Sequence, residues 1–254
     1  MLDLGCQVLF CSYIKAEMIL GKLLRVQTSE VGIDIYYEDI APQSRLALFE
    51  QLMNDKMIDI YFPYVPLKKD DHTEYTSSAA GWKINPKLSS FLLNGERSQR
   101  EISIDLIKSD GKFSPVIYDP ACSTGDFLYS IKTAIPDAIV IGQDLSQDMC
   151  AQARQKIDQV THGDALFPCL PMESCDYIFF RFLNIHVISC SEAKALFEAI
   201  IPCLKKEGKA VLFGFTPVLI SLPYIIKKGF RVLSCNAPIK SENAIIQYYI
   251  IQKI

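Results

Sequence analysis

Three carboxylates and one turn of small residues stand out as groups that could do chemistry together. The turn is Asp119-Pro-Ala-Cys-Ser-Thr-Gly125-Asp126-Phe127. Ala121, Ser123 and Gly125 are small, so a ligand can approach the backbone there without meeting a large side chain, and Gly125 can take a positive φ. If a helix begins at Asp126, its first N–H groups have no partner within the helix and face the turn. Asp144 is the second element, because a carboxylate accepts both hydrogen bonds that a ribose diol can donate. The third is Gly163-Asp164-Ala165, where a carboxylate can accept from an adenine amino group. A turn for close approach, an acid for a diol and an acid for an amine amount to a grip for a nucleoside.

That grip works only if the three pieces sit at the same end of one sheet. The pattern from Val116 onward supplies this, because strand-like and helix-like runs alternate. Val116–Asp119 reads as a short buried strand, followed by the turn and a helix from Asp126. Residues 138–144 form a second strand, with Ser146 able to cap the next helix. Short runs at 160–164 and 175–180 are the third and fourth strands. Ser189 and Glu192 have the spacing of a capping box, announcing a helix through Leu204. Residues 209–215, 229–233 and 244–251 complete the strands, the last two as a hairpin-like pair. Such alternation predicts an α/β domain with a mainly parallel central sheet, whose ligands bind beyond the carboxyl ends of the strands.

The first hundred residues are less regular. Pro42 to Met57 carries Leu46, Phe49, Leu52 and Met53 at helical spacing, Asn85-Pro86 can open a helix to Leu93, and Glu101 to Lys108 suits another. Residues 1–100 are therefore expected to form a mostly helical extension covering the ligand end, followed by the cofactor domain at 101–254. Tyr36, Tyr37, Tyr64, Tyr75 and Trp82 either line an acceptor pocket there or pack as core. The apolar stretch Met1 to Leu24 reads as a helix that docks on the domain or pairs with a second copy as a homodimer.

At these residues the chain resembles the class I S-adenosylmethionine-dependent methyltransferases, over roughly Glu101 to Ile254. The resemblance implies a Rossmann-like fold: seven strands, mainly parallel, with helices on both faces and the last strand inserted antiparallel, which suits the closing pair. It implies S-adenosylmethionine as cofactor, with Asp119, Ala121, Ser123, Gly125 and Phe127 beside its methionine part. Asp144 corresponds to the ribose-binding acid, with Leu145 and Met149 following it, and Asp164 to the adenine-contacting acid beside Ala165. Phe180 and Arg181 fall near the methyl donor and acceptor. Two of the family's usual glycines are here Ala121 and Ser123, which keeps the position small. The opening Asp119-Pro-Ala-Cys122 also resembles DNA adenine methyltransferases. Those carry Asn-Pro-Pro-Tyr or Asp-Pro-Pro-Tyr after the fourth strand, where this chain reads Phe180-Arg-Phe-Leu-Asn184, so DNA is not expected.

Near the acceptor, His186 is a candidate general base or a surface histidine. Asn184 and Arg181 either orient the acceptor by hydrogen bonding or close the loop. His162 reads as structural and His72 as solvated, while Cys122 has no histidine partner nearby and reads as packing rather than as a nucleophile. The Gly-x-Gly-x-x-Gly of nicotinamide-binding domains is absent, and no group is placed for a pyrophosphate.

Composition narrows the acceptor. The formal net charge of −3 supplies no general attraction to a phosphate backbone. Nine cysteines form no Cys-x-x-Cys pair and no zinc spacing, which points to a reducing cytoplasm and no metal. Lys15 and Glu17 interrupt the first apolar stretch, and Pro217 and Pro223 the one at 211–226, so neither reads as a membrane span. The expected function is methyl transfer to oxygen or nitrogen of a small molecule, in secondary metabolism. An RNA or protein methyltransferase, or a binding module that retains the fold without catalysis, are the alternatives.

Overall fold

Strands whose residues are apolar at every position, rather than at alternate ones, must be covered on both faces. The computed structural model bears this out. It describes residues 8–10, 19–29, 32–54, 60–61, 73–74, 76, 96–184, 187–214, 218–236 and 248–254. Seven strands form one sheet: β5 (Val116–Asp119), β6 (Ile139–Asp144), β7 (Gln159–His162), β8 (Cys175–Phe180), β9 (Leu204–Phe213), β10 (Phe230–Asn236) and β11 (Tyr248–Lys253). Their order is β10-β11-β9-β8-β5-β6-β7. β7, β6, β5, β8 and β9 run parallel, and β11 enters between β9 and β10 antiparallel to both.

Successive residues along these strands enter different cores. Ile117, Val140, Tyr177, Phe179, Val211, Phe213, Tyr248 and Ile250 meet Ile107 of α2 (Arg97–Ser109) and Phe127, Leu128 and Ile131 of α3 (Asp126–Ala134). Tyr118, Ile141, Ile178, Phe180, Ala210, Leu212, Tyr249 and Ile251 meet Ala193, Leu196, Phe197 and Ile200 of α5 (Cys190–Ile200), and Leu222 and Ile225 of α6 (Leu222–Lys227). The fold is therefore the expected α/β sandwich with helices on both faces. Ser189 and Glu192 close the predicted capping box on α5, and Ser146 caps α4 (Gln147–Ala153) through the Met149 amide.

The region before residue 96 holds more strand than the sequence pattern had implied. Helix α1 (Pro42–Asn54) agrees with expectation, with Leu48 and Phe49 buried but Leu46 exposed. Around it β1 (Val8–Phe10), β2 (Ile19–Ser29), β3 (Gly32–Asp39) and β4 (Ile60–Tyr61) form a second sheet of order β3-β2-β1-β4. Among the described residues before 96, strands thus outweigh helix where a mostly helical extension was expected, and residues 8–10 and 19–24 are strand where a helix over residues 1–24 was expected. The physical reason is that β3 supplies Ile33, Ile35, Tyr36 and Tyr37, β-branched and aromatic residues that suit a pleated surface, and β2 pairs with it along its length. The expected helix at 85–93 lies outside the described residues, as do Tyr64, Tyr75 and Trp82. Tyr36 and Tyr37 are exposed, with the Arg25 guanidinium 3.9 Å from the Tyr36 ring centre. Among the described residues no helix is long and apolar enough to cross a membrane, and no group of three or more metal-ligating side chains occurs.

Candidate active site

The carboxyl ends of β5, β6 and β8 meet at the turn that follows β5. Asp119 is fully buried, and its Oδ1 accepts from the Ala121 amide at 3.1 Å. Ser123 adopts φ +53 and Gly125 φ +78, so the chain bends sharply into α3. A Cβ on Gly125 would lie 3.0 Å from both Cα and Cβ of Ala153, and one on Gly142 of β6 would lie 2.7 Å from Cys122 Sγ. Both glycines are required by close approach, one by the turn itself and one by the strand under it. The Cys122 amide donates to the Gln143 carbonyl at 2.8 Å, fastening the turn to β6.

Asp144 reaches the same turn from the neighbouring strand. Its Oδ2 accepts from the Ser123 amide and its Oδ1 from the Ser146 amide, each at 2.8 Å. Each carboxylate oxygen retains a second acceptor site, and the side chain is only half-buried. Burial pushes the Asp144 carboxyl above its ordinary value, opposed by these two amides. Leu145, Leu166 and Phe167 are exposed beside it, an apolar rim next to an acid. Asp164 is exposed, with Oδ1 accepting from the Leu166 amide at 2.9 Å.

Gln143, which precedes Asp144, braces this end of the site. It is 1% exposed. Its Oε1 accepts from Tyr118 Oη at 2.6 Å and from the Cys169 amide at 2.9 Å, while Nε2 donates to the carbonyls of Asp164 and Phe167 at 2.8 and 3.1 Å. One side chain thus joins β5, β6 and the loop that carries Asp164.

At the end of β8, Arg181 is buried and ion-paired. Nε donates to Asp119 Oδ2 at 2.7 Å, Nη1 to Glu96 Oε1 at 2.6 Å and Nη2 to the Ala121 carbonyl at 3.3 Å. Burial pulls the guanidinium down, and the two carboxylates more than offset it, so the group stays charged. Burial also pushes Asp119 upward, against the pull of Arg181 and the Ala121 amide. Asn184 donates from Nδ2 to the Arg181 carbonyl at 2.8 Å, and its Oδ1 is a buried acceptor with no hydrogen-bond partner among the described residues.

The structure brings Asp119, Ala121, Ser123, Gly125, Asp144 and Arg181 together around one turn, with Met149 Sδ 3.5 Å from Ser123 Oγ. Asp164 and Ala165 follow β7, joined to this group through Gln143. Two expected cofactor contacts have another place: Phe127 is buried under the Arg181 guanidinium and against Phe179, and Phe180 packs on Phe197 within the opposite core. His186 lies outside the described residues. His162 is exposed, its Nε2 3.1 Å from the Leu145 carbonyl. Cys122 is buried, and burial raises its thiol well above the ordinary range, which leaves it a packing residue. Glu96 and Gln143 were not legible as site residues in the sequence.

Fold and site together place a tight turn of small residues and the carboxylates of Asp119 and Asp144 at the carboxyl ends of a mainly parallel sheet. A methyltransferase-domain model matches residues 117–208. Over 250 residues the chain is 31% identical to isonocardicin synthase of Nocardia uniformis subsp. tsuyamanensis, covering 98% of this chain and 82% of that protein. The fold is shared with magnesium protoporphyrin IX methyltransferase from Synechocystis PCC 6803 with bound SAH, at TM-score 0.52 and 14% identity, covering 68% of this chain and 89% of the other. It is shared also with the PH0226 protein of Pyrococcus horikoshii OT3, at TM-score 0.50 and 16% identity, covering 71% and 95%. The chain belongs to the class I S-adenosylmethionine-dependent methyltransferase family.

The residues present suit that cofactor. Ala121, Ser123 and Gly125 keep the turn free of large side chains, the half-buried Asp144 retains acceptor capacity beside it, and apolar Leu145, Leu166 and Phe167 are exposed on the segments that follow β6 and β7.

Proposed function

We propose that this protein transfers the methyl group of S-adenosylmethionine to an oxygen or nitrogen of a small organic molecule, in secondary metabolism. When bound, the cofactor supplies a methyl carbon already activated by its sulfonium. The protein's task is then placement rather than activation. In this reading Asp144 accepts from the ribose hydroxyls, Asp164 from the adenine amino group, and the turn at 121–125 admits the methionine part. Ala121, Ser123, Leu145, Met149 and Ala165 complete the surroundings of the cofactor, Phe127 and Phe180 support the site from the core, and residues 1–100 close the acceptor side.

The observation that carries the reading is the hydrogen bond from the Ser123 amide to Asp144 Oδ2. It holds the acid we assign to the ribose and the small-residue turn together. For the acceptor, Asn184 is the residue of choice. Its Nδ2 donates to the carbonyls of Arg181 and Phe213, and its Oδ1, without a partner among the described residues, is left to accept from a donor. A buried acceptor without a partner is costly, and an N–H or O–H of an incoming acceptor removes that cost. Arg181 positions the turn, and His186 is the group we assign to take up a proton when the acceptor must lose one. The relative named for the synthesis of isonocardicin supports a small organic acceptor. A cytoplasmic location suits a chain whose described cysteines are all free.

The test is incubation of the full chain with S-adenosylmethionine and a panel of small hydroxylated and amino-bearing acceptors, followed by mass spectrometry of both products. Methylated acceptor with stoichiometric S-adenosylhomocysteine is expected. Formation of methylthioadenosine in its place would show that another carbon of the sulfonium is the one transferred, and would overturn methyl transfer while leaving donor binding intact.

A further inference from the structure

Glu96 lies outside the stretch that matches the methyltransferase domain, at residues 117–208, yet it reaches Arg181, whose guanidinium holds the turn. It is the N-cap of α2, but its side chain makes no cap hydrogen bond. Glutamate is not among the short polar residues that cap helices well from this position. Its carboxylate is engaged across the molecule instead: Glu96 Oε1 accepts from Arg181 Nη1 at 2.6 Å, with the two side chains 9% and 6% exposed.

The other two contacts of the guanidinium are both on the turn, to Asp119 Oδ2 and to the Ala121 carbonyl. Glu96 is therefore the one carboxylate among them that approaches Arg181 from outside the turn. Arginine prefers to engage a carboxylate with two parallel N–H groups. Held by Glu96, the guanidinium meets Asp119 through Nε, and Asp119 Oδ1 remains with the Ala121 amide. Released from Glu96, it is free to rotate onto both oxygens of Asp119, in competition with that amide, and the turn would lose its shape. A second carboxylate from the region before α2 also bonds across the fold: Glu74 Oε2 accepts from the Cys190 amide at 2.6 Å, at the start of α5.

We propose that Glu96 is a positioning residue for the cofactor-binding turn, acting through Arg181 rather than by touching the cofactor. This rests on the reading of the turn as the cofactor site, and the experiment separates the two. Binding of S-adenosylmethionine and of S-adenosylhomocysteine to the full chain is titrated calorimetrically for the unsubstituted protein, Glu96→Gln, Glu96→Ala, Arg181→Lys and the double variant Glu96→Ala/Arg181→Lys. Thermal melting of each confirms that it is folded.

Glu96→Ala is expected to weaken both ligands about tenfold and equally, the size of coupling typical of contacting groups in one network. Glu96→Gln keeps an acceptor oxygen and is expected to lose less, about threefold, which also serves if the alanine variant does not fold. The double variant should bind no more weakly than the weaker single one, because both substitutions break the same link. A lowered melting temperature with unchanged affinities would reduce Glu96 to a structural residue and overturn the proposal. So would a selective loss of the sulfonium ligand over its neutral product, which would mean direct contact with the cofactor's charge. If the unsubstituted protein binds neither ligand, the cofactor reading fails first and the proposal with it.

Discussion

Replacing Gln143 by leucine removes one side chain of similar size and four hydrogen bonds, and the structure lets the cost be apportioned. Two of the four partners are carbonyls, of Asp164 and Phe167, on a segment exposed enough for water to take over. The other two are donors. Tyr118 is fully buried and its hydroxyl donates to Oε1; the Cys169 amide does the same from a half-buried position. Burial pushes the Tyr118 phenol far above its ordinary value, so it stays protonated and cannot shed the orphaned hydrogen. A buried donor left without an acceptor costs about 1–3 kcal/mol, so the pair costs about 2–6 kcal/mol. For a chain of this size each kcal/mol lowers the melting midpoint by about 2–4 °C, giving a fall of roughly 4–24 °C. Scanning calorimetry of Gln143→Leu checks this. The double variant Tyr118→Phe/Gln143→Leu provides the internal control: it removes the orphaned hydroxyl as well, and should be less destabilised than the sum of the two single changes. Because the side chain also holds the loop of Asp164, affinity for S-adenosylhomocysteine should fall about tenfold. A melting midpoint within about 2 °C of the unsubstituted protein would refute the reasoning, since it would mean that neither donor depends on Gln143.

Two further outcomes follow from the same end of the sheet. Gly125→Ala places a Cβ at φ +78, 3.0 Å from Ala153 Cα and Cβ; a left-handed alanine costs about 1–2 kcal/mol before any contact strain. Urea unfolding should show at least that loss, with weaker binding of S-adenosylhomocysteine. For Asp144, burial raises the carboxyl above its ordinary value against the Ser123 and Ser146 amides. The ionised form that accepts from a diol is therefore lost on acidification at a higher pH than for an ordinary aspartate. Affinity for S-adenosylhomocysteine, titrated downward in pH, should begin to fall above the usual carboxylate range, and Asp144→Asn should bind weakly with no such step.

How much of this fold was readable in advance depended on how many faces a strand buries. Cys175–Phe180 is apolar or aromatic at all but one position and has the bounds expected of it. The exception, Asp176, sits near the strand's start, where the Val116 amide and two lysines satisfy it. Strand β9 was placed too late, at 209, because Gly208 read as a break before it. In the structure Leu204 pairs with Cys175 and Lys205 reaches Asp176, so the charged run Lys205, Lys206 and Glu207 belongs to the strand. The second sheet was missed for a related reason. In Ile19–Ser29 basic residues at Lys22 and Arg25 interrupt the alternation that marks a strand, and only pairing with β3 reveals its period.

The site divides along the same line, between what local chemistry announces and what only the fold brings together. Asp119, Ser123, Gly125 and Asp144 could be picked out because each ends a readable strand or breaks a readable turn. Phe127 and Phe180 were drawn into the site by their proximity in sequence to it, but a ring one position along a strand or helix turns to another face, and both entered cores. Gln143 and Glu96 carried no signal at all. Neither a glutamine within an apolar strand nor a glutamate in a polar stretch belongs to a motif of its own. Each is instead joined to partners across the fold, at separations of 21 to 26 residues for Gln143 and 85 for Glu96. The groups that would touch the cofactor are thus specified by short-range pattern. Those that hold them in place are specified by burial, where an unpaired polar group is costly enough that only a completed network survives.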